Sequence, residues 1–454
     1  MRVFNTLSGR KEDFHPHSEA VTMYVCGITA YDESHIGHAM TYIIFDVIKR
    51  YLRFKGYKVK HVQNFTDIDD KIIERANQLG IPPSELTNKY IDQYFADMDA
   101  LNIERADVYP RATEEIPKIM EIIQGLLAQG YAYESEGSVY FRVRDFSSYG
   151  ELSHRNLGDM ISKTNAYEEK KEYPLDFVLW KASKPGEPFW ESPWGRGRPG
   201  WHIECSAIAL KHLGNSIDIH GGGQDLVFPH HENEIAQSES FTQEAPFVQY
   251  WLHNGLMQQD KQKMSKSTGN LVSVKDMLNR LDSDAIRLFI LSSHYRSPLT
   301  YSEEALEASE RGMERLRSAL THQASADEEV SVLNAEPLEQ KFIEAMDDGF
   351  NTAQAIAALF ELTREINRGA EQGINITEAQ HTLLKLAGIL GLTLKQKPNP
   401  MLGSESFIRL LVSVRDDLRH NRQWQLADEI RERLADSGII LEDTPQGTIW
   451  KYKR

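Results

Sequence analysis

The stretch Tyr24-Val-Cys-Gly-Ile-Thr-Ala-Tyr-Asp-Glu-Ser-His-Ile-Gly-His38 constrains the fold more than any other part of the chain. The run Ala20 to Cys26 is apolar and β-branched over the length of a central strand, and Thr41 to Phe54 carries apolar residues at helical spacing. A buried strand therefore breaks at Gly27 into a loop that opens a long helix, with His35, Gly37 and His38 at the junction. In an open α/β sheet, such a junction turns backbone N–H groups and the positive helix end toward the crevice where nucleotides bind. His35 and His38, three apart, share one helical face. Two histidines at this spacing also occur as ordinary surface or core residues, so the reading needs a second motif.

That motif is Lys263-Met-Ser265-Lys266-Ser267, set among Lys, Gln and Ser and followed by the turn-forming pair Gly269-Asn270. Two lysines beside hydroxyls suit a polyphosphate, although a solvated turn would have the same composition. In combination the two motifs resemble the paired ATP-binding elements of class I aminoacyl-tRNA synthetases.

The chain has only two cysteines, Cys26 beside the first motif and Cys205. With no signal-like apolar stretch at the N-terminus, they exclude a disulfide scaffold and favour a reducing cytoplasm. They could simply be two small buried hydrophobes. Against this stands Gly200-Trp-His-Ile-Glu-Cys205, followed by His220-Gly-Gly-Gly-Gln-Asp225 and by His230 and Glu234, four apart on an expected helix. Two thiolates, an imidazole and a carboxylate from separate elements could close a tetrahedral zinc site.

In this order the elements resemble the cysteinyl-tRNA synthetase family over essentially the whole chain. Further matching stretches are Asn64-Phe-Thr-Asp-Ile-Asp-Asp-Lys71, Ala427-Asp-Glu-Ile-Arg431 and Leu441-Glu-Asp-Thr-Pro-Gln-Gly-Thr-Ile-Trp450. The resemblance implies one Zn²⁺ per chain, held by Cys26, Cys205, His230 and Glu234. It implies an amino-acid pocket walled by Trp201, for which ordinary core is the alternative. It also implies a two-step reaction: cysteine and ATP give cysteinyl-adenylate and pyrophosphate, and the terminal ribose of tRNA(Cys) then takes the cysteinyl group. Such a reaction needs positioning and charge stabilisation rather than an enzyme nucleophile, and His35, His38, Lys263 and Lys266 are the candidates for both. Mg²⁺ would accompany the ATP, held largely by its phosphates. Because a metal reads the thiol directly, no editing domain is expected. Ile28 stands where the family often has proline, and Thr268 where it often has leucine. The Cys-Gly-Ile-Thr form is similar to the cysteine ligase of mycothiol biosynthesis, which passes the same adenylate to an amino sugar. A zinc-containing nucleotide- or RNA-binding protein without turnover is the other alternative.

Position in the chain extends the candidate sites. Gly221, Gly222 and Gly223 follow an expected strand, Ser216 to His220, and as a glycine-rich turn ending at Asp225 they would let backbone approach the ATP adenosine. Ser265 belongs to the lysine loop, and Asp225 either faces the ribose or caps the next turn. Thr66, just past the second strand, is placed as a substrate-facing hydroxyl in the amino-acid site with Cys26, or as a helix cap.

The 454 residues imply an α/β chain of several domains. Residues 1–110 read as the first half of a Rossmann-type nucleotide-binding catalytic domain, 111–199 as a connective insertion and 200–247 as the second half. Residues 248–301 then form a stem-contact region with the lysine loop, 302–396 an α-helical bundle and 404–454 a small α/β anticodon-binding module. No apolar run reaches the length of a membrane span, and a monomer is expected. With 51 basic against 67 acidic residues the net charge is −16, which repels nucleic acid at long range. Contact with tRNA must therefore be locally basic. The terminal module is balanced, with nine residues of each sign. Its Arg415, Arg419, Arg422, Arg431 and Arg433 are candidates for phosphates or bases, and Trp424 either stacks on a base or packs under the terminal hairpin.

Overall fold

The computed structural model describes residues 1–161, 170–259, 262–263, 271–322, 331–395, 405–444 and 447–452. Its contacts divide the chain into two compact units, Met1–Leu394 and Lys395–Arg454. Among the described residues no helix is long and apolar enough to cross a membrane.

The first unit opens with an antiparallel hairpin, β1 (Arg2–Asn5) and β2 (Arg10–Asp13). The parallel sheet follows: β3 (Ala20–Val25), helix α1 (Ile36–Phe54), β4 (Lys58–Gln63), and helices α2 (Asp70–Leu79) and α3 (Pro83–Ala100). Helix α1 begins five residues before Thr41, because His35 caps it. An insertion comes next, with α4 (Ile116–Ala128), β5 (Ala132–Ser135), β6 (Ser138–Phe141), α5 (Leu157–Ile161), β7 (Phe177–Ala182) and β8 (Gly197–Pro199). The four strands form one antiparallel sheet in the order β5-β6-β7-β8. Its last strand is poor in strand formers, since glycines let it close: a Cβ on Gly197 would meet Trp180 Nε1 at 2.3 Å and one on Gly200 would meet Val178 O at 2.1 Å.

The second half returns with α6 (Trp201–Leu213), β9 (Ile217–Gly223), α7 (Glu232–Thr242) and β10 (Val248–Asn254). The parallel sheet has the order β10-β9-β3-β4, so β9 of the second half pairs directly with β3 of the first, Tyr24 beside His220. The crevice at the carboxyl ends of β3 and β9 is where the two halves meet. The glycines 221 to 223 are not a turn: they complete β9 and pair with β10 as far as Gly223 and Asn254. The reason is helix α1, which lies so close that a Cβ on Gly221 would stand 2.1 Å from the Phe45 ring.

A small sheet in the order β12-β11-β13 is made by β11 (Met257–Gln259), β12 (Gln262–Lys263) and β13 (Leu299–Thr300). Helices α8 (Val274–Arg280) and α9 (Ser283–Leu291) lead to four longer helices, α10 (Glu303–Ser318), α11 (Glu336–Asp347), α12 (Thr352–Glu371) and α13 (Thr377–Ile389). One apolar core runs from β3 and α1 through α9 into these helices. Within it Arg287 is fully buried and joins three elements. It donates to Asp46 Oδ2 on α1 at 2.6 Å, to Leu390 O after α13 at 2.9 Å, and to Leu101 O after α3 at 3.0 Å.

The second unit pairs α14 (Glu405–His420) and α15 (Trp424–Asp436) with the hairpin β14 (Ile439–Thr444) and β15 (Gly447–Tyr452). Ile408, Val412, Leu434, Ile439 and Leu441 make its core, and Ile430 and Trp450 pack against it. Trp424 is 56% exposed, so Trp450 is the aromatic that packs at the hairpin. Arg415 is buried and donates to Thr448 Oγ1 at 3.1 Å, which makes it a structural residue rather than a surface for phosphates. Arg422, Arg431 and Arg433 are exposed.

Candidate active site and metal centre

The loop after β3 is shaped by its closeness to the loop after β4. Gly27 N–H donates to Asn64 Oδ1 at 2.8 Å, and a Cβ on Gly27 would stand 1.5 Å from Asn64 O, so only glycine fits. The two loops then run in parallel, Ala30 N–H donating to Thr66 O and Thr66 N–H to Ile28 O, both at 3.1 Å. Beyond them His35 caps α1. His38 N–H donates to His35 Nδ1 at 3.3 Å, and His35 N–H donates to His38 Nδ1 at 3.4 Å. The two rings stack with centroids 3.6 Å apart. With each Nδ1 accepting, the proton of each imidazole sits on Nε2, the nitrogen that can serve a phosphate as donor. Gly37 is required by the same cap, since a Cβ there would press on His35 Nδ1 at 3.0 Å.

These residues open on a cavity of about 420 Å³ at the carboxyl end of the sheet. Cys26 and Trp201 line it together with His35, Gly37 and His38 from the first half, and Gly222, Gly223, Asp225 and Asn254 from the second. Trp201 is no core residue: it is 40% exposed and stacks on His230 with centroids 4.3 Å apart. Thr66 is buried, and its hydroxyl donates to Glu204 Oε2 at 2.7 Å, outside the cavity lining. Gly221 is likewise outside the lining and faces Phe45. The backbone of Lys263 pairs with Gln258 in the small sheet, next to Met257 in the cavity wall. Ser265 and Lys266 lie outside the described residues.

Behind Cys26 is a buried group of sulfur, nitrogen and oxygen donors. Cys26, His230, His231 and Glu234 bring their ligand atoms within 4.8 Å of one another. Cys205 Sγ stands 3.9 Å from Cys26 Sγ. Two thiolates on a tetrahedral zinc at about 2.3 Å each would be about 3.8 Å apart, so the thiols have a fitting separation. His230 Nε2 and Glu234 Oε1 are 2.9 Å apart and complete a set of two sulfurs, one nitrogen and one oxygen. All four predicted ligands are thus together. The fifth residue, His231, places Nε2 3.2 Å from Cys26 Sγ while its Nδ1 is 2.7 Å from His253 Nε2.

The charges in this group are strongly coupled to one another. Burial pushes the Glu234 carboxyl up, but His220 and His230 overcome it and hold the group down at about 2. Burial pulls His230 down, and Glu234 and Cys205 more than offset it, raising the ring to about 10. The thiol pair splits: the bond from Cys26 lowers Cys205, whereas burial pushes Cys26 up. Around these donors His220 Nε2 holds Glu234 Oε2 at 2.8 Å, and His202 Nδ1 meets His230 Nδ1 at 2.8 Å. Such outer partners fix the orientation of ligands. Sequence reading overlooked His202, His220, His231 and His253. The doublet at 230 and 231, and His220 at the end of an expected strand, were the available signals.

Residues 13–311 match the family described as tRNA synthetases class I (C) catalytic domain, and residues 341–395 match the DALR domain. A cysteine–tRNA ligase of Dehalococcoides mccartyi is 56% identical over 456 residues, covering 100% of both chains. One from Thermodesulfovibrio yellowstonii is 47% identical over 486 residues, again covering 100% of both. Among solved structures, methionyl-tRNA synthetase of Mycobacterium tuberculosis in complex with methionyl-adenylate superposes with a TM-score of 0.59 at 18% identity, over 82% of this chain and 90% of that one. That last likeness is one of fold.

Proposed function

The chain belongs to the class I tRNA synthetases, in the family of the cysteine–tRNA ligases, and on that premise we propose that it activates L-cysteine with ATP and esterifies tRNA(Cys). The cysteine carboxylate attacks the ATP α-phosphate to give cysteinyl-adenylate and pyrophosphate, and a hydroxyl of the terminal ribose then attacks the activated carbonyl and releases AMP.

One observation carries this reading. Cys26 belongs both to the buried donor group and to the wall of the cavity that His35 and His38 line. A substrate thiol and an adenylate phosphate therefore have their recognition elements on one continuous surface.

In the first step, Nε2–H of His35 and of His38 donate to phosphate oxygens as charge builds on them, and the stacked cap keeps both rings in place without reorganisation. Lys263 and Lys266 add positive charge, and Mg²⁺ arrives with ATP. Gly222 and Gly223 leave room for the nucleoside, and Asp225 accepts from its ribose. Trp201 covers the amino-acid end. Cys26, Cys205, His230 and Glu234 would hold zinc, which supplies a centre that binds a thiolate far better than an alcohol. A shape-only pocket separates such near-isosteres by only about 10 to 200-fold. His253 donates to His231, and His231 Nε2–H donates to the Cys26 sulfur and fixes its orientation.

Residues 404–454 would read the anticodon, with exposed Arg422 and Arg431 beside Trp424 as contacts. A cytoplasmic monomer completes the proposal. The test is cysteine-dependent ATP–pyrophosphate exchange, followed by transfer of labelled cysteine to tRNA with glucosaminyl-inositol as competing acceptor. Exchange with tRNA charging supports the proposal. Transfer to the amino sugar alone would replace it with the mycothiol ligase, and no exchange with zinc present would leave a binding protein.

A further inference from the structure

The stretch Asn64 to Lys71 sets polar side chains in close succession, and the fold takes up all of them but the last. Asn64 Oδ1 accepts Gly27 N–H, and the Thr66 hydroxyl donates to Glu204. Asp67 Oδ2 accepts from the Thr113 hydroxyl at 2.6 Å, and Asp69 Oδ1 accepts Lys71 N–H at 2.9 Å as the cap of α2. Asp70 fastens the first turn of α2 to the insertion, holding Lys181 of β7 at 2.7 Å and the buried Arg198 of β8. The backbone of Lys71 is thus fixed on both sides, while its side chain is exposed. Its ammonium stands 5.8 Å from the Tyr31 ring centroid and, among the described residues, pairs with no carboxylate.

Lys71 also lines the cavity that His35 and His38 open on, and among the described lining residues it is the only lysine or arginine. Three carboxylates, Asp32, Glu33 and Asp225, share that lining. A polyphosphate entering so acidic a wall needs a cation to meet it. The sheet shows which part of the ligand that cation serves. Its order is β10-β9-β3-β4, with Asn254 and Gly223 ending β10 and β9, the two histidines at the start of α1 after β3, and Lys71 in the first turn of the helix after β4. A nucleotide with its nucleoside on the glycines and its α-phosphate at the histidines has its outer phosphates directed toward β4. Lys71 stands at that end of the path.

Resting on the function proposed above, we propose that Lys71 is a further catalytic residue, whose ammonium binds the β- and γ-phosphates of ATP and donates to the departing pyrophosphate. In activation the bond from the cysteine carboxylate oxygen to the α-phosphorus forms, and the bond from that phosphorus to the α,β-bridging oxygen breaks. The electron pair leaves with the pyrophosphate, and a fixed cation at its oxygens is worth more as that charge gathers. Lys71 therefore acts in activation and has no part in transfer to RNA.

Lys71→Met removes the charge and keeps an unbranched stem, Lys71→Ala removes both, and Lys71→Arg keeps the charge. In the two uncharged variants kcat for cysteine-dependent ATP–pyrophosphate exchange should fall about 100-fold. The KM for pyrophosphate should rise about tenfold, as expected for a lost charge-assisted bond, and the KM for cysteine should stay within about twofold. Single-turnover transfer from preformed cysteinyl-adenylate to tRNA should also stay within about twofold, since no pyrophosphate takes part in it. Lys71→Arg should recover part of the loss. Exchange and transfer falling together would make Lys71 a structural residue and overturn the proposal. A rise in KM for cysteine in place of pyrophosphate would assign the ammonium to the amino-acid carboxylate, and a loss confined to transfer would assign it to the RNA; either overturns the proposal, as does unchanged exchange. If the unaltered protein shows no cysteine-dependent exchange, the failure is that of the proposed function, and this assignment falls with it.

Discussion

Cys26 Sγ and Cys205 Sγ are 3.9 Å apart across 179 residues of chain, and Asn64 bridges the loop after β3 and helix α6 that hold them. Asn64 Oδ1 accepts from Gly27 N–H at 2.8 Å and from the Cys205 thiol at 3.8 Å. Serine at position 205 keeps the volume and removes the thiolate. The Cys205→Ser protein should therefore fold, and its zinc content should drop from about one per chain to near none. Metal analysis after gel filtration reads the outcome, and full zinc in the variant would remove Cys205 from the ligand set.

His220 is buried and spends its Nε2 on Glu234 Oε2 at 2.8 Å, while its ring stacks on Trp251 with centroids 4.5 Å apart. Removing that bond leaves the carboxylate free to turn away from the cluster. His220→Leu should weaken zinc binding by about 10 to 100-fold in a chelator competition. Unchanged affinity would mean that the helix alone orients Glu234.

Gly221 answers to packing. A Cβ there would stand 2.1 Å from the Phe45 ring, so Gly221→Ala should cost about 1 to 3 kcal/mol in urea unfolding. Phe45→Leu in the same chain should recover part of that loss, since the two sites share one contact. Strictly additive losses would contradict the steric reading.

Arg287 and Asp46 are a buried pair, each wholly shielded from solvent and bonded at 2.6 Å. Arg287→Met leaves the Asp46 carboxylate with Arg50 and the Glu104 N–H, and three backbone carbonyls lose a donor. A loss of about 3 to 5 kcal/mol is expected. Adding Asp46→Leu should cost less than the sum of the two single changes, as measured by denaturant unfolding.

His61 gives a dependence on pH. Burial, with Lys49 and Arg53 nearby, pushes the ring down to about 3 from its ordinary 6.5, and neither ring nitrogen has a partner. The folded value lies below the unfolded one, so the unfolded chain binds the extra proton between pH 6.5 and 3. The neutral ring's contribution is whole above that window and is lost as pH falls through it, by about 1.4 kcal/mol per pH unit. His61→Leu should flatten the acid side of the stability profile from about pH 6 downward. An unchanged slope would show that His61 is protonated in the folded protein.

Much of this was legible in the chain. The strand before Cys26, the helix after His35, and the grouping of Cys26, Cys205, His230 and Glu234 followed from local pattern and from resemblance. The glycines 221 to 223 misled, because the demand on Gly221 comes from Phe45, far away in sequence, and a local pattern cannot distinguish a turn from a strand under a helix. Thr66 was placed correctly after its strand, but its hydroxyl is taken by Glu204, a buried acid that no periodicity announces. Strands β7 and β8 were not read from the sequence: β8 is only Gly197–Pro199, too short to carry a pattern, and its pairing with β7 shows only once Gly197 is seen packed against Trp180. The outer histidines escaped notice because hydrogen bonds between rings depend on the tertiary fold alone.

The measurement that tests the account most directly is the ratio of cysteine- to serine-dependent ATP–pyrophosphate exchange, with zinc loaded and after its removal. A buried thiol-reading centre predicts a ratio far above the roughly 10 to 200-fold that shape alone provides. It also predicts loss of the cysteine-dependent rate on stripping the metal and its return on adding zinc back. Exchange that ignores metal removal, or that serine supports to within that shape-only limit, would contradict the account.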